Sequence, residues 1–108
     1  MTKISIVKSD GRYKGFECLG HSGYAEAGED IVCAAVSSLT INTINSIEQF
    51  TDDGFDLEAD ENTGSIKMYF KDIPSDDSTL LMKSMELGLN AIADQYDGQF
   101  VTVKIQEV

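Results

Sequence analysis

Residues 3–19, KISIVKSDGRYKGFECL, carry the pattern of two β-strands joined by a tight turn. Apolar and polar residues alternate around Ile4 and Ile6, which is typical of a strand that buries one face. The Asp-Gly pair in the middle is a strong hairpin signal. The rest of the stretch returns as a second strand with Phe16 and Cys18 on one face. The chain is therefore predicted to begin with a β-hairpin.

The next periodic segment, residues 30–50, predicts a helix. Asp30 is a suitable N-cap, because its carboxylate accepts hydrogen bonds from the backbone N–H groups of a first turn. Ile41 points away from the apolar stripe of this helix. The stripe recurs with a period of 3.6 residues and consists of Val32, Ala35, Val36, Leu39, Ile47 and Phe50.

Residues 55–59 and 65–70 alternate again and predict a second hairpin. A second helix is expected to follow Ser75, with acidic residues in its first turn, where the helix dipole favours them, and with Gly98 ending it. Residues 99–105 alternate once more and predict a final strand. The main apolar stripe of the second helix consists of Leu81, Met85, Leu89, Ile92 and Tyr96.

The resulting order of elements is ββαββαβ. We predict a single α+β domain over residues 1–108, with two layers: one mixed sheet of about five strands and two helices packed on it. Ile41 and a second apolar stripe on the second helix leave apolar surface beyond one core, which predicts a homodimer. The second stripe consists of Leu80, Leu87 and Ala91.

The composition is that of a folded domain, with 42% apolar and 25% charged residues, and it argues against disorder. No stretch approaches the roughly 18 consecutive apolar residues of a membrane span. The first residues, MTKISIVKSD, lack the apolar core and cleavage site of a signal peptide. We expect a cytoplasmic protein without membrane contact, whose two cysteines stay reduced.

The chain is strongly acidic, with 19 acidic and 8 basic residues and a formal net charge of −11. Such a charge repels the phosphates of nucleic acids and attracts basic partners at higher association rates. We therefore expect no direct nucleic-acid binding, and a basic substrate or partner for whatever site exists.

The stretch GHSGYAEAGEDIVCAAVS (residues 20–37) combines the groups of a cysteine acyl-transfer site. Counted from Asp30 as the N-cap, Cys33 lies at the end of the first helical turn. Unpaired N–H groups and the positive end of the helix dipole stabilise a thiolate there, and they also suit the oxyanion of a tetrahedral intermediate. The only histidine, His21, supplies a base. The tight path that brings it to the thiol is permitted by Gly20, Gly23 and Gly28.

The same residues leave other interpretations open. Cysteine is among the most frequently buried residues, so Cys33 is also consistent with a structural or redox-sensitive thiol. One histidine and two cysteines fall short of the four ligands of a structural zinc site, unless carboxylates or a second subunit contribute. We expect no metal and no cofactor. Cys18 alternates within a strand and is predicted to fill the core.

This stretch resembles the signature of the ribosomal processing cysteine protease family, called Prp. The likeness is densest over residues 20–39, where GH, GYA, G and DIVCAAVS stand in register. The resemblance implies removal of an N-terminal extension from a protein of the large ribosomal subunit, whose basic character suits the charge of this chain. It also implies that His21 is the catalytic histidine and Cys33 the nucleophile.

The resemblance further implies a homodimer whose histidine-bearing loop moves when substrate binds. Asp30 matches the family's aspartate, so an orienting role toward His21 competes with the capping role that the local sequence favours. The alternative function is a non-catalytic, ribosome-associated binding or assembly module with a structural or redox-sensitive cysteine.

Overall fold

A computed structural model describes residues 2–20, 29–60 and 62–108, with the backbone alone for Glu29 and Asp30. The order ββαββαβ and the α+β class are confirmed. The elements are β1 (Thr2–Ser9), β2 (Arg12–Leu19), α1 (Glu29–Phe50), β3 (Phe55–Asp60), β4 (Ser65–Phe70), α2 (Asp76–Gln95) and β5 (Val101–Glu107).

The five strands form one mixed sheet in the order β3-β4-β2-β1-β5. β1 pairs in parallel with β5 and antiparallel with β2, and the other neighbours are antiparallel. The predicted turn between β1 and β2 is present, with Asp10 and Gly11 both at positive φ as such a hairpin turn requires. β2 is thus the middle strand, with β4 and β1 on either side of it, and each helix links strands that are not neighbours.

Both helices pack on one face of the sheet and share one core with it. Alternation along β1 and β2 puts the side chains of Ile4, Ile6 and Phe16 on this face, each at most 1% exposed. Burying each such side chain stabilises the fold by about 1.5–3 kcal/mol. The helices contribute Val32, Val36, Ile44, Ile47, Met82, Met85 and Leu89 to the same cluster.

The predicted apolar stripe of α1 is correct along most of its length but wrong at its end. Phe50 has the expected angular position, yet as the last helical residue it lies at the rim of the core and is 74% exposed. Ile44, which the predicted stripe omits, is buried. Over Ile31–Phe50 the helix is also long and apolar enough to cross a membrane by length and composition, contrary to the expectation above. A core helix meets the same criterion, and α1 packs in a core.

A hydrogen-bonded cluster sets the start of α2. Ser75 is its N-cap, as expected, and its hydroxyl accepts a hydrogen bond from the Ser78 N–H at 3.2 Å. The Asp53 carboxylate accepts from the Ser75 hydroxyl at 2.6 Å and from the Ser78 hydroxyl. These bonds, the one from Ser75 first, lower the pKa of Asp53. The charged form therefore favours folding above the unfolded-state pKa, and this contribution is lost as the pH falls through the folded-state pKa.

Candidate active site

A cleft of about 180 Å³ lies at the end of the sheet where β1 begins and β2 ends. The antiparallel pairing of Lys3 with Leu19 brings these two strand ends together. The pairing of Cys18 with Ile66 brings the β3–β4 hairpin beside them. The cleft is lined by Thr2, Cys18, Gly20, Cys33, Val36, Ser37 and Gly64.

Cys33 reaches this cleft from helix α1. It is the fifth helical residue and is partly buried. Side chains on a helix tilt toward its N-terminus, so the thiol projects back over the first turn. The Cys33 Sγ lies 3.4 Å from the hydroxyl oxygen of Thr2, within hydrogen-bonding distance for sulfur. The thiol is therefore held at the cleft by contact with the sheet.

The predicted N-cap of this helix is wrong. The helix begins at Glu29, so Asp30 is its second residue, whereas an N-cap has a non-helical backbone. Cys33 accordingly lies in the second turn, where its own N–H bonds to the carbonyl four residues earlier. The N–H groups that an α-helix leaves without an intrahelical partner, and that could hold an oxyanion, belong to the first turn, next to the tilted thiol. The orienting role of Asp30 stays a prediction, because its side chain lies outside the described part of the chain.

His21, Gly23 and Gly28 lie outside the described residues. Gly20, which directly precedes His21, is described and lines the cleft together with Cys33. A Cβ at Gly20 would lie 2.8 Å from the carbonyl oxygen of Gly64, closer than real Cβ contacts allow. A glycine is therefore required for β2 to end this close to the β3–β4 hairpin, and the segment with His21 starts at the wall of the cleft.

Cys18 lies at the base of the same cleft, on the sheet face that packs against the helices. It is 4% exposed, as its alternation in the strand predicted. Burial, followed by the negative charge of Cys33, raises the pKa of Cys18 to about 11. Cys18 is thus protonated at neutral pH, and the thiolate is the reactive form of cysteine. Both cysteines are thiols rather than halves of a disulfide.

Thr2 is the site residue that the sequence analysis missed. Its neighbours on the same face of β1, Ile4 and Ile6, are apolar. A polar residue on this buried face was the signal in the sequence that Thr2 could have a polar partner. The residues that the structure describes contain no group of three or more histidine, cysteine or acidic side chains placed to hold a metal ion.

A thiol presented to a cleft from the start of a helix, in a small α+β domain, is the arrangement expected of a thiol-dependent hydrolase. A family model described as cysteine protease Prp matches residues 1–101. The ribosomal processing cysteine protease Prp of Bacillus subtilis (strain 168) is 31% identical over 113 residues, covering 97% of this chain and 99% of that protein. This chain therefore belongs to the Prp family of ribosomal processing cysteine proteases.

Solved structures agree with this assignment. The protein SMU.848 from Streptococcus mutans superposes with a TM-score of 0.89 at 31% identity, covering 100% of this chain and 99% of that one. The essential ribosomal processing protease Prp from S. aureus, in complex with a covalently linked product peptide, superposes with a TM-score of 0.87 at 26% identity. That match covers 98% of this chain and 100% of the S. aureus chain.

Proposed function

We propose that this protein is an endopeptidase that removes the N-terminal extension of a basic protein of the large ribosomal subunit, with Cys33 as nucleophile and His21 as general acid and base. The observation that carries the proposal is the cleft itself. Cys33 lines one side of it and Gly20, the residue before His21, lines another. His21 follows Gly20 directly in the sequence, which supports a role for it at this cleft.

The proposed reaction has two steps. The Cys33 thiolate attacks the scissile carbonyl carbon, and His21 donates a proton to the leaving amine. Water, activated by His21, then hydrolyses the thioester and releases the new N-terminal fragment. The unpaired N–H groups of the first turn of α1 hold the oxyanion in both steps. The covalently linked product peptide of the S. aureus relative supports a covalent route.

Charge supports a ribosomal substrate. The net charge of −11 favours encounter with a basic protein and disfavours nucleic acid. Asp60, Asn62 and Thr63 are exposed beside Gly64 at the cleft, where a basic segment would approach. We place the protein in the cytoplasm, where such a substrate is available before it enters the ribosome.

Mass spectrometry of the candidate ribosomal protein tests the function. The protein bearing its extension is incubated with the wild-type enzyme, and the same protein already lacking the extension serves as the control substrate. We expect one new N-terminus from the extended protein and no change in the shortened one. An extended protein that stays intact with reduced, folded enzyme would favour the non-catalytic binding module.

We also propose that the protein is a homodimer. Among the large apolar side chains that are exposed on the helices of the single chain are three that the sequence singled out: Ile41 at 47%, Leu80 at 66% and Leu87 at 74%. Apolar surface of this kind commonly marks a protein interface. Light scattering at micromolar concentration is expected to give about twice the 11.8 kDa of one chain, and Leu87→Lys is expected to shift the mass toward the monomer. A monomeric wild type would rule the dimer out.

A further inference from the structure

We infer that Thr2 is a positioning residue for the Cys33 thiol, with its hydroxyl holding the sulfur in the cleft and favouring the thiolate. The inference rests on the proposed function, in which Cys33 is the nucleophile. The two residues are 31 positions apart in the chain, and Thr2 Oγ1 lies 3.4 Å from Cys33 Sγ. Thr2 is 2% exposed, so its hydroxyl is removed from water and needs a partner within the protein.

The position of the Thr2 hydroxyl is fixed by the sheet. The Thr2 N–H donates to the carbonyl of Phe100 at 2.9 Å, and Thr2 pairs with Val101 of β5. On the other side, Thr2 lies one step beyond the Lys3–Leu19 pair, level with Gly20. A residue paired with β5 at the start of a central strand is a rigid support for a group on a neighbouring helix.

The chemistry of the pair differs between the two forms of the sulfur. A hydroxyl carries one donor and two acceptor positions and rotates to suit its partner. Next to a neutral thiol it accepts from S–H or donates weakly to sulfur. Next to a thiolate it donates to a full negative charge, and such charge-assisted bonds are about twice as strong. The pair therefore stabilises the thiolate more than the thiol.

The buried groups around Cys33, Cys18 among them, explain why a hydrogen bond from Thr2 to the Cys33 thiolate matters. Among the described residues that line the cleft, Cys18 is the one titratable group besides Cys33, and it lies near enough for a charge on Cys33 to help raise the pKa of Cys18. On the helix side the cleft is lined by Val36, which is 1% exposed, and by Ser37. A donor to the sulfur from Thr2 offsets the cost of a charge next to such buried groups.

The test is the pH dependence of the alkylation rate of Cys33 by iodoacetamide, located by peptide mapping, in the wild type and in two variants. Thr2→Val keeps the branched shape and removes the hydroxyl, whereas Thr2→Ser keeps the hydroxyl and removes the methyl group. We expect Thr2→Val to move the midpoint of the profile up by about one pH unit, with about tenfold slower alkylation at neutral pH. Thr2→Ser is expected to keep the wild-type midpoint. Thermal unfolding confirms that both variants are folded.

An unchanged profile in Thr2→Val, or an equal shift in Thr2→Ser, would overturn the inference, because packing would then explain the contact. Failure of the proposed function has a different signature. It would appear as an extended substrate that the wild type leaves intact, or as persistent cleavage by Cys33→Ala, whereas the comparison of the three alkylation profiles does not depend on cleavage.

Discussion

Replacement of Cys33 by alanine is expected to abolish peptide-bond cleavage, lowering kcat/KM by at least about 10³-fold. The variant lacks the sulfur that forms the thioester, and no other described side chain in the cleft supplies an ionised nucleophile. Cys18, the nearest alternative, is buried, and its pKa is raised to about 11. Because Cys33 is only partly buried, the variant should keep the wild-type fold. The measurement is the initial rate of cleavage of a peptide that spans the extension and the mature N-terminus.

Two further variants make this result specific. Cys18→Ala is the matched control, because it removes the other thiol at the base of the same cleft. It is expected to cleave at close to the wild-type rate, at some cost in stability from the lost buried volume. His21→Ala is expected to lose about 10²- to 10⁴-fold, the usual contribution of a general acid and base. Cleavage by Cys33→Ala at the wild-type rate would show that Cys33 is not the nucleophile.

The second large effect is expected at Gly15, in the middle of the sheet. Gly15 lies on β2 between Val7 of β1 and Tyr69 of β4, next to the register shift that follows Val7. A Cβ there would lie 2.0 Å from the carbonyl oxygen of Met68 and 2.8 Å from the Tyr69 Cα. Both are backbone atoms of a paired strand, so a methyl group would force β4 away from β2.

Gly15→Ala is therefore expected to lower the free energy of unfolding by about 3 kcal/mol or more, the upper end of the usual cost of overpacking. For a domain of this size the midpoint of thermal unfolding should fall by more than about 12 °C. Gly54→Ala is the matched control, because its Cβ would meet the flexible Lys71 side chain at 3.4 Å. It is expected to change the midpoint by only a few degrees. Equal midpoints for the two variants would contradict the close packing at Gly15.

The local elements could be predicted from the sequence because their signals are local. Alternation around Ile4 and Phe16, the Asp-Gly turn and the Ser75 cap each depend on a few neighbouring residues. The order of the strands could not be predicted, because it depends on pairings between distant segments such as Cys18 with Ile66. The end of α1 was misjudged for a related reason: periodicity gives the angle of Phe50 but not its place at the rim.

The site was predictable as a set of residues but not as an arrangement. The motif around His21 and Cys33 indicates the chemistry. The start of α1 could not be predicted as well, because several consecutive polar residues are suitable as the N-cap. The consecutive Glu29 and Asp30 both suit the start of a helix, and the structure places both within it. The contact of Thr2 with Cys33 could not be predicted, because the two residues are 31 positions apart along the chain. Contacts between distant segments carry no local signal.

The most direct test of Cys33 as the nucleophile is to trap the acyl-enzyme. The enzyme is mixed with excess extended peptide, quenched in acid within one turnover, and analysed by intact mass and peptide mapping. We predict that the enzyme gains the mass of the N-terminal fragment, minus one water, as a thioester on the peptide that contains Cys33. Cys18→Ala should show the same adduct, and Cys33→Ala should show none. An adduct on another residue, or cleavage by the wild type without any covalent intermediate in the samples quenched within the first turnover, would contradict the account.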